Sequence, residues 1–159
     1  PFSIPDRSKQ PRFIQNKAGK LECRFVNVRI EKSNSVLLRG MEGSTLGVWI
    51  AHGEGQCYWP DQDIKRQAEE QGCVAMRYVD NDGNLATDYP YNPNGSEDGI
   101  AALCSLNGHH LSLMPHPERL LTRWAWPYWP EEWDFMESPW LKMFQNARLW
   151  CEEIHRKED

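Results

Sequence analysis

No apolar run in the 159 residues approaches the ~20 needed to span a bilayer. The opening Pro1-Phe2-Ser3-Ile4-Pro5-Asp6 has neither the charged start nor the apolar stretch of a secretory signal. A basic excess is missing too: 18 Lys and Arg against 23 Asp and Glu give a net charge of −5. No field exists to draw a phosphodiester backbone, so a general nucleic-acid binder is disfavoured. Cysteines are few and scattered, at positions 23, 57, 73, 104 and 151, and never spaced as C-x-x-C. That odd set argues against a disulfide framework and a structural zinc site, and for a reducing, cytosolic compartment. Internal repeats and low-complexity tracts are absent. The sequence also lacks an opening methionine and begins in a Pro-rich polar stretch, which reads as a boundary inside a longer chain.

What is present suits one domain, whose core would hide roughly 68–70% of the unfolded surface. Residues 1–20 hold prolines at 1, 5 and 11 among basic residues with little apolar periodicity, and read as an extended arm or linker. From Leu21 the pattern is strand-like. Leu21, Cys23 and Phe25 alternate on one face and Val26, Val28 and Ile30 on the other, a phase change that predicts a bulge near Phe25. The runs Val36-Leu37-Leu38 and Leu46 to Ala51 read as buried strands. Asp61 caps a helix predicted over 62–71, with Gly72 suited to its left-handed end. Cys73 to Val79 follows as a strand, Asp80 to Asn84 as a turn, and Leu85 to Asp88 as a returning strand. Asn107-Gly108 between two apolar runs is a strong hairpin signal. Ser138-Pro139 starts an amphipathic helix whose apolar positions run from Trp140 to Ile154. Taken together, these elements suit an α+β reading unless preceding sequence is missing.

Five stretches could carry chemistry or contacts. In Met114-Pro115-His116-Pro117-Glu118-Arg119, prolines on both sides fix φ around a titratable imidazole, with a carboxylate two residues on. The pattern suits a histidine acting as acid and base and oriented by a carboxylate; the plain alternative is a charged surface turn. His-Pro-Glu also matches half of a zinc deaminase signature, but the P-C-x-x-C half is absent. Ala51-His52-Gly53-Glu54-Gly55 puts two glycines around a His and a Glu after a strand, which suits backbone approach to a ligand or a simple tight turn. Asn92 to Ser96 reads as a turn, and Asp80 to Asn84 places its glycine wrongly for a calcium loop. The aromatic stretch Trp124 to Trp133 has too many prolines for a helix, and reads as an irregular cap over the core or a contact surface.

In order along the chain, these motifs resemble the C-terminal part of the phosphoribosylformylglycinamidine synthase family of the long single-chain type, also called formylglycinamide ribonucleotide amidotransferase. The resemblance rests on Arg12-Phe13, Asn16 to Phe25, Leu38 to Gly43, Ala51 to Gly55, Tyr78 to Asn84, Tyr89-Pro90 with Asn92 to Ser96, Gly99 to Ser105, Met114 to Arg119, and Ser138 to Arg148.

The resemblance implies an α/β fold of the class I glutamine amidotransferase (flavodoxin-like, three-layer) kind around a mainly parallel sheet, with residues 21–159 forming its C-terminal portion. It implies a glutaminase that supplies ammonia for the ATP-dependent amidation of formylglycinamide ribonucleotide in purine synthesis, in the cytoplasm. By motif His116 is the acid–base histidine and Glu118 its orienting carboxylate, while His52, Gly53 and Glu54 border the glutamine pocket. The family's cysteine nucleophile sits on a Gly-rich elbow before the matched region, and this chain has none. Cys57 comes closest, but Trp59-Pro60 cannot continue into the helix an elbow requires; the remaining cysteines read as small core residues. The expectation is the His/Glu half of a Cys-His-Glu triad, inactive alone. It binds glutamine together with the rest of a parent enzyme, namely its nucleophile-bearing part and its synthetase domain. No cofactor or metal is expected on these residues; ATP and Mg²⁺ belong to the synthetase, and neither nucleic acid nor membrane is a partner. The rivals are a non-catalytic binding or scaffolding module of the same fold, and a small independent hydrolase pairing Cys57 or Cys104 with His116.

Overall fold

A computed structural model describes residues 6–158, without the side chains of His155, Lys157 and Glu158. Its centre is a five-stranded sheet of β2 (Glu22–Ile30), β3 (Thr45–His52), β5 (Val74–Val79), β6 (Ile100–Cys104) and β7 (Leu111–Leu113), in the order β3-β2-β5-β6-β7. A second, two-stranded ribbon pairs β1 (Arg12–Ile14) with β4 (Gln56–Tyr58). Two helices, α1 (Gln62–Glu70) and α2 (Leu141–Glu158), complete the α/β architecture. The implied mainly parallel sheet is not what the described residues form, because every ladder among them is antiparallel. β2 runs opposite to both its neighbours, and β6 and β7 form the hairpin at Asn107-Gly108, so no adjacent pair needs a crossover. No helix among the described residues is long and apolar enough to cross a membrane.

β2 shows why the sheet is covered on both faces. Val26, Val28 and Ile30 enter the main core with Leu46, Val48, Ile50, Met76 and Tyr78. On the other face Phe25 meets Trp49 and Trp126 edge-on, with centroids 5.1 and 5.7 Å away. Its ring also fills the space of a side chain at Gly47, where an added Cβ would lie 2.2 Å from it. Pairing with β3 runs without a break from Glu22 opposite His52 to Arg29 opposite Thr45, so the bulge expected near Phe25 is absent. Val26, Val28 and Ile30 are buried on one face and Phe25 is partly buried on the other, so no phase change is required. The irregularity lies instead on β5, between Val74 and Met76 and between Met76 and Arg77.

α1 starts and stops as its sequence dictates. The Asp61 carboxylate accepts from the Asp63 and Ile64 amides, and Gly72 takes φ +69° beyond the end. Its buried Ala68 joins a second core cluster with Cys57, Trp59, Cys73, Val74, Ile100 and Leu103. Val36–Leu38 is a 3₁₀ turn rather than a strand, held by Val36 N–H donating to the Gly108 carbonyl. Leu85 makes one bridge to Val79 before the chain leaves the sheet. At α2, Ser138 Oγ accepts from the Trp140 amide, and the buried Trp140 donates Nε1–H to the Gly47 carbonyl at 2.9 Å. Asn146 then donates to the Leu37 and Arg39 carbonyls, clamping the helix to the 36–38 turn. The later apolar positions Phe144, Leu149 and Cys151 stay exposed.

The sheet curls until its edges meet. Met114, just past β7, donates to Ala101 of β6, and two residues later His116 donates to the Trp49 carbonyl of β3, at the opposite edge, at 2.8 Å. The irregular aromatic cap covers this end. Trp49 Nε1 donates to the Ala125 carbonyl, and Trp126, Trp129, Trp133 and Phe135 pack ring against ring, while Trp124 and Tyr128 face solvent.

Candidate active site

His116 sits where the chain leaves β7 and crosses to β3. Pro115 and Pro117 are both buried, fixing the backbone on either side, and the amide bond to Trp49 sets its height against the sheet. Glu118 follows in the 3₁₀ turn Pro117–Leu120, which returns its carboxylate to the ring: Nδ1 and Oε1 are 2.7 Å apart. Arg119 lies 3.7 Å from the same oxygen. With Nδ1 engaged by the carboxylate, Nε2 is the nitrogen left to exchange a proton with a substrate.

His52 ends β3 and is 7% exposed. Burial lowers its pKa, and the neighbouring His116 lowers it further, which favours the neutral ring. Its Nε2 faces Asn94 Nδ2 at 3.5 Å. A Cβ on Gly55 would come within 2.6 Å of the same ring, so the glycine allows the loop to fold back over His52. Gly53 and the exposed Glu54 form one side of a groove of about 360 Å³, whose other side is Gln15, Gly19, Lys20 and Leu21. The structure thus joins His116 to Glu118 directly and places His52 within electrostatic reach. Among the described residues, no hydrogen bond ties Gly53 or Glu54 to that pair.

Other residues complete the site that the sequence reading passed over. Asn94 donates to Asn16 Oδ1 and accepts the Tyr78 hydroxyl at 2.7 Å, both deep in the protein. Asn92 collects the Gly95 and Ser96 amides on its Oδ1, and Ser96 Oγ accepts from the Cys57 amide. The segment from Asn92 to Ser96 is a turn, as its sequence suggests, and a largely buried one that braces the His52 loop.

The cysteines fall into two kinds. Cys57 is 1% exposed on β4, and burial pushes its thiol up to about 12. Cys73 rises to about 11 and Cys104 in the same direction, both from burial. None of these supplies a thiolate near neutrality. Cys23 and Cys151 are exposed, contrary to the expectation of small core residues: Cys23 lies on β2 where the cap does not reach, and Cys151 on the open side of α2. Among the described residues no three His, Cys, Asp or Glu side chains converge as a metal site would require.

A curled α/β sheet that delivers a proline-flanked histidine to a carboxylate defines a glutamine amidotransferase domain, and the chain belongs to that class: residues 1–151 match the CobB/CobQ-like glutamine amidotransferase domain family. Within it, the relatives are of one particular kind. The chain is 53% identical over 148 residues to the probable phosphoribosylformylglycinamidine synthase, chloroplastic/mitochondrial, of Arabidopsis thaliana, covering 91% of this chain and 10% of that protein. It is 45% identical over 161 residues to phosphoribosylformylglycinamidine synthase of Dictyostelium discoideum, covering 98% and 12%. With the Homo sapiens protein of that name it shares 44% over 139 residues, covering 87% and 10%. The chain therefore spans about a tenth of the length of these relatives. Among solved structures, PurLQS from Thermotoga maritima has the same fold, with a TM-score of 0.63 at 24% identity over 89% of this chain and 53% of that one.

Proposed function

We propose that this chain is the acid–base half of the glutaminase of a phosphoribosylformylglycinamidine synthase. The observation that carries the reading is the 2.7 Å contact of His116 with Glu118, on a backbone fixed by Pro115, Pro117 and the bond to Trp49. A thiolate supplied by sequence outside these 159 residues attacks the carboxamide carbon of glutamine. The protonated His116 gives its Nε2 proton to the leaving nitrogen, ammonia departs, and a glutamyl thioester remains. His116 then takes a proton from water, the resulting hydroxide adds to the thioester carbon, and glutamate leaves as the thiolate is restored. Glu118 holds the ring orientation and stabilises the imidazolium that donates in the first step and re-forms in the second.

The ammonia passes to a synthetase that amidates formylglycinamide ribonucleotide with ATP and Mg²⁺, none of which is assigned to the residues described here. His52, Gly53 and Glu54 border the pocket for glutamine, and the compartment is the cytoplasm, in keeping with five free cysteines. The test uses the complete enzyme. His116→Ala is expected to lower glutamine-dependent synthesis by roughly 10²–10⁴-fold, the usual worth of an acid–base group, and to leave ammonia-dependent synthesis unchanged. Equal loss with both nitrogen donors would mean that His116 supports the fold or the synthetase, and would overturn the reading.

A further inference from the structure

Asn16 lies just past β1, in a segment of low apolar content, yet it is 2% exposed and uses every hydrogen-bonding site of its amide. Nδ2 donates to the Lys20 carbonyl at 2.9 Å and to the His52 carbonyl at 2.8 Å. Oδ1 accepts from the Gly55 amide at 2.9 Å and from Asn94 Nδ2 at 2.8 Å. Its backbone joins in, with its amide donating to the Gly53 carbonyl and its carbonyl accepting from Gly19. One side chain thus fixes both walls of the groove beside His52: the 16–20 turn on one side and the His52–Gly55 loop on the other. The walls carry Lys20 and Glu54, charges of opposite sign, as a zwitterionic α-amino acid requires.

We infer that Asn16 is a positioning residue for glutamine: it sets the shape of the groove that receives the amino-acid end of the substrate, without touching the reacting carboxamide. The inference rests on the proposed glutaminase reading and assigns the part of the site that reading leaves open. A side chain acting this way governs substrate binding, whereas one that merely holds the fold affects every activity of the enzyme alike. Burial makes the dependence steep, since removing the amide takes a partner from two carbonyls, of Lys20 and His52, and from two donors, the Gly55 amide and Asn94 Nδ2.

The test uses the complete enzyme carrying Asn16→Ala, with Asn16→Asp as the second variant because it keeps the size and an acceptor oxygen while exchanging the donor nitrogen for a charged carboxylate oxygen. The expected result is a KM for glutamine raised at least about tenfold, with ammonia-dependent synthesis within about twofold of the parent. A KM within about twofold of the parent in both variants would overturn the inference. So would loss of ammonia-dependent synthesis or of soluble enzyme in both, which would make Asn16 a support of the fold alone. His116→Ala measured alongside separates the two levels. If it loses synthesis with both donors, the glutaminase reading has failed; if it spares ammonia while the Asn16 variants bind glutamine normally, only the positioning role has.

Discussion

His52 and His116 carry the same ring into opposite surroundings, and the difference decides what each can do. His116 is partly open and paired through Nδ1 with a half-exposed carboxylate, which leaves Nε2 facing outward from that pair. His52 is buried and kept neutral. The unfolded chain protonates His52 as pH falls through the ordinary histidine range near ~6.5, while the folded chain resists, so the unfolded state binds more protons and stability rises with pH. Melting temperatures measured from pH 7.5 down to 5 should therefore fall, and His52→Gln should flatten that part of the curve; an unchanged slope would remove His52 as the cause. Glu118→Gln should be milder than His116→Ala. A carboxamide oxygen still accepts from Nδ1–H, and the lost charge acts across a carboxylate already half in water, so glutamine-dependent kcat should drop about 10–100-fold with ammonia-dependent synthesis intact. The His116–Glu118 pair was legible in the sequence because its prolines and spacing are local. Asn16 was not, since its partners lie up to 78 residues away and nothing local marks a polar residue as buried.

Among the elements, those with a chemical start and stop were legible: α1 between Asp61 and Gly72, the β6–β7 hairpin at Asn107-Gly108, and α2 after Ser138. The 36–38 turn was not, because three apolar residues suit a strand until Gly108 takes the Val36 amide. β2 misled for the opposite reason, its alternation being read against one buried face when both are covered. Gly108 shows how packing exceeds local preference. Both Gly83 and Gly108 have positive φ, but a Cβ at Gly83 meets open space, whereas at Gly108 it falls 1.9 Å from the Asn34 carbonyl oxygen. Gly83→Ala should cost about 1–2 kcal/mol, the left-handed penalty alone. Gly108→Ala adds a backbone collision and should cost at least about 3 kcal/mol. Chemical denaturation of the two variants measures the gap, and equal losses would show that the 36–38 turn yields freely.

At the scale of the molecule, the proposed function puts the acid–base pair in this chain and the nucleophile outside it. The 159-residue chain alone should release no ammonia from glutamine above background, because its most elbow-like thiol, Cys57, is buried and held protonated to about pH 12. A coupled glutamate assay checks this, and turnover sensitive to Cys57→Ser would restore the small-hydrolase alternative. The curl of the sheet has a separate consequence. Since the His116 amide spans from the end of β7 to the Trp49 carbonyl on the far edge, that one proton is shielded only while the two edges stay together. Its exchange with deuterated solvent is thus a gauge of how often the sheet opens. Where opening is easier than global unfolding, mild denaturant should release the His116 amide before those of Val28 and Met76 at the centre, and glutamine chemistry should be lost while the core is still intact.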